Sequence, residues 1–332
     1  MQGDYNIFLR MVIILSVLIN ILISQTLPKS NPVHTYSIIA YDPDTGEFGV
    51  AVQSHWFSVG SLVPWAKAGV GAVATQSFVK VEYGPDGLAL MEEGKSAKEA
   101  LALLIDKDEG RDVRQVAMID NKGSVAVHTG KNCIYAAGHK LGKNYSVQAN
   151  LMEKESVWTS MAKAFEETKG DLAEKMMASL ESAEIEGGDI RGKQSASMLI
   201  VTGEPTGIDW KDTVMDIRID DSPEPLKELK RLIRIHKAYQ HANKGDHYLE
   251  VSEVDKALAE YDKASTLYPE NPELPYWSAV ALAKIGKLDK ALPVFSKVFK
   301  KDLRLKKMTP RLVDVGLLPK DEDILEKIMN AK

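Results

Sequence analysis

The sequence predicts an α+β domain followed by an all-α region, and three observations carry that reading. Alternating runs form hairpin patterns near both ends of residues 35–222, amphipathic helical stretches lie between them, and helical periodicity alone remains beyond Ser222. The order of hairpins, helices and hairpins differs from the strand–helix–strand alternation of a doubly wound sheet. Neither a Gly-x-Gly-x-x-Gly run nor a phosphate-loop signature occurs, so nucleotide binding has no support. The chain divides into 1–34, 35–222 and 223–332.

Residues 7–24 are nearly all apolar, with Arg10 as the only positive charge, and read as an export signal for which Ser24 is a suitable cleavage end. Counted from Ile7 the same stretch is long enough to span a bilayer, so an uncleaved N-terminal anchor is the alternative. The expected location is exported, periplasmic or extracellular, with membrane anchoring by residues 7–24 as the variant of that expectation. Gln25 to Pro32 is a mainly polar spacer containing proline, and everything ahead of Thr35 reads as dispensable.

The run Thr35-Tyr-Ser-Ile-Ile-Ala-Tyr41 alternates sides, Asp42-Pro-Asp-Thr-Gly46 turns, and Glu47-Phe-Gly-Val-Ala-Val-Gln-Ser54 alternates again, which predicts a hairpin. Gly69 to Ser77 is small and β-branched, hence a strand, and Gly84 to Gly94 is helical. Ser96 caps a second helix, with Glu99 completing a capping box. Gln115–Asp120 and Ser124–His128 flank Asn121-Lys-Gly123 as a tight hairpin, and Tyr145–Asn150 is a further strand. Helices follow at about 153–168 and 171–184, separated by Lys169-Gly170 and closed by Gly187-Gly188. Ser195–Val201 and Val214–Ile219 return to strand.

The remainder repeats. Gly245, Tyr248, Ala257, Tyr261, Ala264 and Pro269 stand at tetratricopeptide-like spacing, and Ala291 and Phe295 follow Ala257 and Tyr261 at an offset of 34 residues. The second copy matches less well, with Ala279, Leu282 and Val298 in the other slots. A generic helical hairpin is the alternative, and residues 302–330 suit a terminal cap.

At 332 residues with 44% hydrophobic and 27% charged residues, the composition is ordinary globular. A net charge of −5 without a basic stripe excludes a nucleic-acid footprint. Cys133 is the single cysteine, so no intrachain disulfide forms and an exported chain relies on its core. The thiol is either simply buried or a nucleophile with His139 nearby in sequence.

Thr35 opens a strand with a hydroxyl. Removal of the residues ahead of it would give one residue both a nucleophile and a free α-amine as its own base. Ser54 and His55 end the partner strand of that hairpin and are the best neighbours for Thr35. Each has a structural alternative. Thr is favoured at strand starts anyway, and adjacent strand residues such as Ser54 and His55 point to opposite faces, which argues against a Ser/His pair. His128 and His139 lack metal-ligand spacing, and no metal or cofactor is expected.

Thr35 to about Ser222 resembles the domain-of-unknown-function 1028 family, through Thr35-Tyr-Ser-Ile-Ile-Ala with Asp42-Pro43, Gly49–Ser54, Val63–Ala66, Gly69–Gln76, Tyr83-Gly84, Val147–Asn150 and Arg191–Ser195. The resemblance implies a four-layer αββα sandwich of the N-terminal-nucleophile (Ntn) hydrolase type with a Thr at the start of the first strand. It implies no particular substrate. Its motifs place Asn150 and Gln194, and less strongly Lys67, Gln76 and Ser195, as further site candidates. Asn150 and Gln194 serve equally well as partners for buried backbone groups.

Two functions follow as expectations. One is an exported amidohydrolase that cleaves a small amide or peptide-like substrate through Thr35. The other is a catalytically silent binding module carrying a repeat domain for protein–protein interaction. Residues 236–300 are the expected surface for a protein partner, the chain is expected to form a homo-oligomer, and no nucleic-acid partner is expected.

Overall fold

The computed structural model describes residues 32–331. The export signal or anchor expected over residues 7–24 lies outside the described residues. Among the described residues no helix is long and apolar enough to cross a membrane. The chain divides into two compact units between Leu229 and Lys230.

The first unit is mixed α and β with antiparallel sheets. Its strands are β1 (Pro32–Val33), β2 (Thr35–Tyr41), β3 (Phe48–Ser54), β4 (Pro64–Lys67), β5 (Gly71–Phe78), β6 (Arg114–Asp120), β7 (Val125–Thr129), β8 (Gly138–Gly142), β9 (Tyr145–Ala149), β10 (Ser195–Val201) and β11 (Thr213–Ile219). One sheet runs β11-β10-β3-β2-β9-β8 and the other β1-β5-β6-β7, with β4 also on β5. The helices α1 (Tyr83–Glu92) and α2 (Ala97–Asp106) pack on the second sheet, while α3 (Val157–Glu167) and α4 (Leu172–Ile185) pack on the first. The Ser96–Glu99 capping box forms as the sequence predicts, and Asp171 with Glu174 makes another at the start of α4.

Period-two alternation explains which side chains meet between the sheets. Thr35 pairs with Ser54, Ser37 with Val52 and Ile39 with Val50, so these three pairs share one face. At the Ile39 end that face is apolar, closed by Ala72, Ala74, Ala117 and Ile119 of the opposing sheet. At the Thr35 end it turns polar: Ser37, Gln76, Gln115, Gln148 and Asn150 are all fully buried. The opposite face of β2 carries Tyr36, whose hydroxyl donates to Glu184 of α4 at 2.8 Å and to Gln53.

Three strands differ from the expectation. β4 and β8 have no counterpart in the sequence reading, and neither has the short strand Pro32–Val33: Val33 lies opposite Ser77, and Pro32 opposite Phe78. The chain thus enters on one sheet and crosses to the other at His34.

The second unit is helical. The short α5 (Asp209–Asp212) still belongs to the first unit, and the long α6 (Pro225–Glu250) spans the boundary residues; in the second unit then come α7 (Val254–Leu267), α8 (Glu273–Lys284) and α9 (Leu288–Lys301), and the short α10 (Leu303–Met308), α11 (Arg311–Asp314) and α12 (Glu322–Met329). Tyr261, Tyr276, Ala279, Leu282, Ala291, Phe295 and Ile328 build its core. Gly245 lets α6 approach α7: a Cβ there would stand 2.5 Å from the Tyr261 ring. Gly245→Val should therefore cost about 1–3 kcal/mol, read as a lower thermal midpoint by helical circular dichroism; an unchanged midpoint would contradict this packing.

Candidate active site

Thr35 is fully buried at the polar end of the inter-sheet layer. Its hydroxyl donates to the Val33 carbonyl at 3.0 Å. Its own carbonyl accepts from Asn150 twice, through the backbone N–H at 3.1 Å and Nδ2 at 3.3 Å, and from Gln76 Nε2 at 3.2 Å. Gln76 and Asn150 are joined through Gln115, whose Oε1 accepts from them at 2.7 and 2.9 Å. Gln115 Nε2 in turn donates to the carbonyls of Gly138 and Ala149 and to Thr129. Ser37 donates to Gln76 and accepts from Gln148, both at 2.6 Å. This network ties both sheets to the Thr35 backbone, and a low-dielectric setting makes each of its bonds costly to leave unmade.

The peptide bond ahead of Thr35 is held with equal care. The His34 carbonyl oxygen accepts from Ser54 Oγ at 2.5 Å and from Arg191 Nη2 at 2.9 Å. Arg191 forks onto Asp189, Nη2 to Oδ2 at 2.6 Å and Nε to Oδ1 at 3.0 Å, and the Asp189 side chain is fully buried. A bidentate guanidinium–carboxylate pair fixes the guanidinium plane. The loop that carries them turns at Gly187 and Gly188, both at positive φ, and is tied to the stretch after Asn150 by Ile190 N–H to the Leu151 carbonyl at 3.2 Å.

The His34 ring is enclosed. Its Nδ1 lies 2.7 Å from Asn150 Oδ1, and the ring meets Phe78 edge-on at a centroid distance of 5.5 Å. Burial, helped by the Arg191 charge, holds the imidazole below its usual pKa, against the Asn150 hydrogen bond and Asp189, which pull it up. Lowering means the folded chain takes up this proton less readily than the unfolded chain, so stability falls as pH drops below the ordinary value of 6.5. In an uncleaved Thr35→Ala chain the thermal midpoint should fall between pH 6.5 and 5 more steeply than in the same chain with His34→Gln. Identical slopes would contradict a buried neutral imidazole.

Of the residues singled out from the sequence, the structure gathers Thr35, Ser54 and Asn150, with Gln76 beside them. His55 is exposed, and its backbone N–H alone reaches the cluster, donating to Asp189 at 3.3 Å. Gln194 donates from its side chain to Asp221 at 3.0 Å in an exposed position, although its backbone N–H bonds the Ser54 carbonyl. Ser195 bonds the Trp56 carbonyl and the Val59 N–H, and Lys67 pairs with Glu92 at 2.7 Å, so neither reaches Thr35. The sequence reading missed Arg191, Asp189 and Gln115. Arg191 opens one of the family-like motifs, Arg191–Ser195, and Asp189 stands two residues before it in a glycine-opened loop. Among the described residues no group of three or more His, Cys, Asp or Glu is placed to hold a metal ion.

Residues 35–229 match the family described as "Family of unknown function (DUF1028)". A crystal structure of a Silicibacter pomeroyi protein carrying the same family designation is similar at 27% identity, over 60% of this chain and 84% of that one, with a TM-score of 0.55. No curated protein matches the chain.

Proposed function

For a chain that belongs to the DUF1028 family, we propose that the first unit is an Ntn-type amidohydrolase whose nucleophile is Thr35, set free by cleavage of its own His34–Thr35 bond. Helices on the outer faces of two packed antiparallel sheets, with Thr35 opening an inner strand, support the αββα sandwich of that type. One observation carries the reading: the carbonyl that the hydroxyl must attack is clamped by Ser54 and Arg191. Two donors on a carbonyl oxygen stabilise the negative charge that develops there when a nucleophile adds.

In this mechanism Thr35 Oγ adds to the His34 carbonyl carbon, closing a five-membered ring, and its proton passes to the departing amide nitrogen. The resulting ester takes up water, releasing a His34 carboxylate and restoring the Thr35 hydroxyl. The freed α-amine, with a reference pKa of about 7.7–8.0, is favoured in its neutral form by the Arg191 cation and serves as base for the next substrate. The same two donors then hold the substrate carbonyl. Arg191→Met should slow self-cleavage by about 10²–10³-fold, the usual loss for one such donor, read by intact mass over time; an unchanged rate would remove Arg191 from the clamp.

The apolar stretch over residues 7–24 supports export of this enzyme. In the second unit α7 runs Val254–Leu267 and α9 Leu288–Lys301, so both ends of α9 lie 34 residues after those of α7, which supports tetratricopeptide-like repeats. Val251, Trp277 and Ile285 are exposed there, in keeping with a protein partner or homo-oligomer through residues 236–300. One observation favours the silent binding module instead: Pro32 and Val33, ahead of Thr35, are seated in a sheet opposite Phe78 and Ser77. The intact mass of the native protein, read beside an amide-hydrolysis assay, separates the two readings: a chain beginning at Thr35 favours the enzyme, and one that keeps residues ahead of Thr35 and hydrolyses nothing favours the binding module.

A further inference from the structure

We infer that residues 32–34 lie in the acyl-side substrate subsite, and that the substrate is an extended peptide whose residue before the cut bears a flat, hydrogen-bonding, histidine-like side chain. This rests on Thr35 being the nucleophile. The segment is bound as a peptide substrate would be. Its backbone adds a short antiparallel strand to the flank of β5, Val33 opposite Ser77 and Pro32 opposite Phe78, which is the strand-addition mode of peptide recognition. Its last carbonyl sits in the Ser54–Arg191 clamp, and its last side chain fills a slot made by Asn150 and the Phe78 ring edge. The fit is close: Val33 is fully buried and His34 is 3% exposed.

Backbone strain flanks the slot on both sides. Ser77, next to Phe78, has φ 71°, and Leu151, next to Asn150, has φ 60°. Non-glycine residues held in this region cost free energy and cluster where a ligand is gripped. Once the His34–Thr35 bond is broken, a surface shaped for a backbone, a carbonyl and one planar side chain is left facing the nucleophile. Small amides without a peptide backbone use only the carbonyl clamp. An acidic residue before the cut would meet the Asn150 Oδ1 acceptor and the Asp189 carboxylate behind Arg191, and glycine would leave the slot unfilled.

The test uses the self-cleaved protein, beginning at Thr35 and keeping both units, and a set of coumarin amides, Asn-Pro-Val-X, with X as His, Phe, Gly or Asp, beside the acetyl-His coumarin amide. The expected kcat/KM for His exceeds that for Gly and Asp at least tenfold, and the tetrapeptide exceeds acetyl-His by a similar factor. Phe78→Leu, at a half-buried position, lowers the His-to-Gly ratio several-fold within the same protein. The free acid Asn-Pro-Val-His inhibits competitively as the product. Hydrolysis with no dependence on X or on peptide length overturns the subsite while leaving the Thr35 nucleophile standing. Absence of hydrolysis of every amide by protein with a free Thr35 overturns the nucleophile and the subsite together.

Discussion

Thr35→Ala is expected to leave the protein folded and the bond after His34 whole, with no amide probe hydrolysed. The folded state loses one hydrogen bond, from the Thr35 hydroxyl to the Val33 carbonyl, which costs about 1 kcal/mol. The proposed chemistry loses its nucleophile, and the Ser54 hydroxyl against this bond is committed to the His34 carbonyl. Thr35→Ser keeps the hydroxyl and the potential amine, so it retains both cleavage and hydrolysis. Intact mass and a fluorogenic assay on the three proteins read this directly. Cleavage or hydrolysis surviving in Thr35→Ala would remove Thr35 from the mechanism.

Gln115→Leu has the largest expected effect on stability. The volume is nearly kept, but the side chain's bonds to Thr129, Gly138, Ala149, Gln76 and Asn150 all go. Several partners keep other bonds, Gln76 Nε2 to the Thr35 carbonyl among them. The remaining deficit is about 2–4 kcal/mol, or roughly 4–16 °C in the thermal midpoint of a domain this size. The proposed self-cleavage should slow as well, because Gln76 and Asn150 hold the Thr35 carbonyl and are themselves joined through Gln115. A midpoint unchanged within about 1 °C, on the same scale, would show the polar layer to be held by other means.

Much of the first unit was legible because its strands are short apolar or alternating runs bounded by turn residues, and two of its helices open on capping boxes. The β2–β3 hairpin, which sets Thr35 opposite Ser54, follows from Asp42–Gly46 as a turn between alternating runs. What escaped the pattern has a common physical cause. β4 begins with Pro64, β8 is bounded by Gly138 and Gly142, and β1 is two residues long; each exists through its neighbour rather than through its own periodicity. The site followed the same division. Ser54 was reachable from register, and Asn150 from a family motif at a strand end. Arg191 and Asp189 sit in an irregular loop, where side-chain direction has no period to read, and Gln115 looks in sequence like any polar residue opening a strand. Gln194 illustrates the converse: one residue before a strand that borders Ser54, its backbone joins the site while its side chain turns outward to Asp221.

The measurement that bears most directly on this account is the N-terminal sequence and intact mass of whichever species hydrolyses an amide probe. A released α-amine on Thr35, with the upstream fragment ending at His34, is the predicted result. An active species that still carries His34 ahead of Thr35 would contradict it.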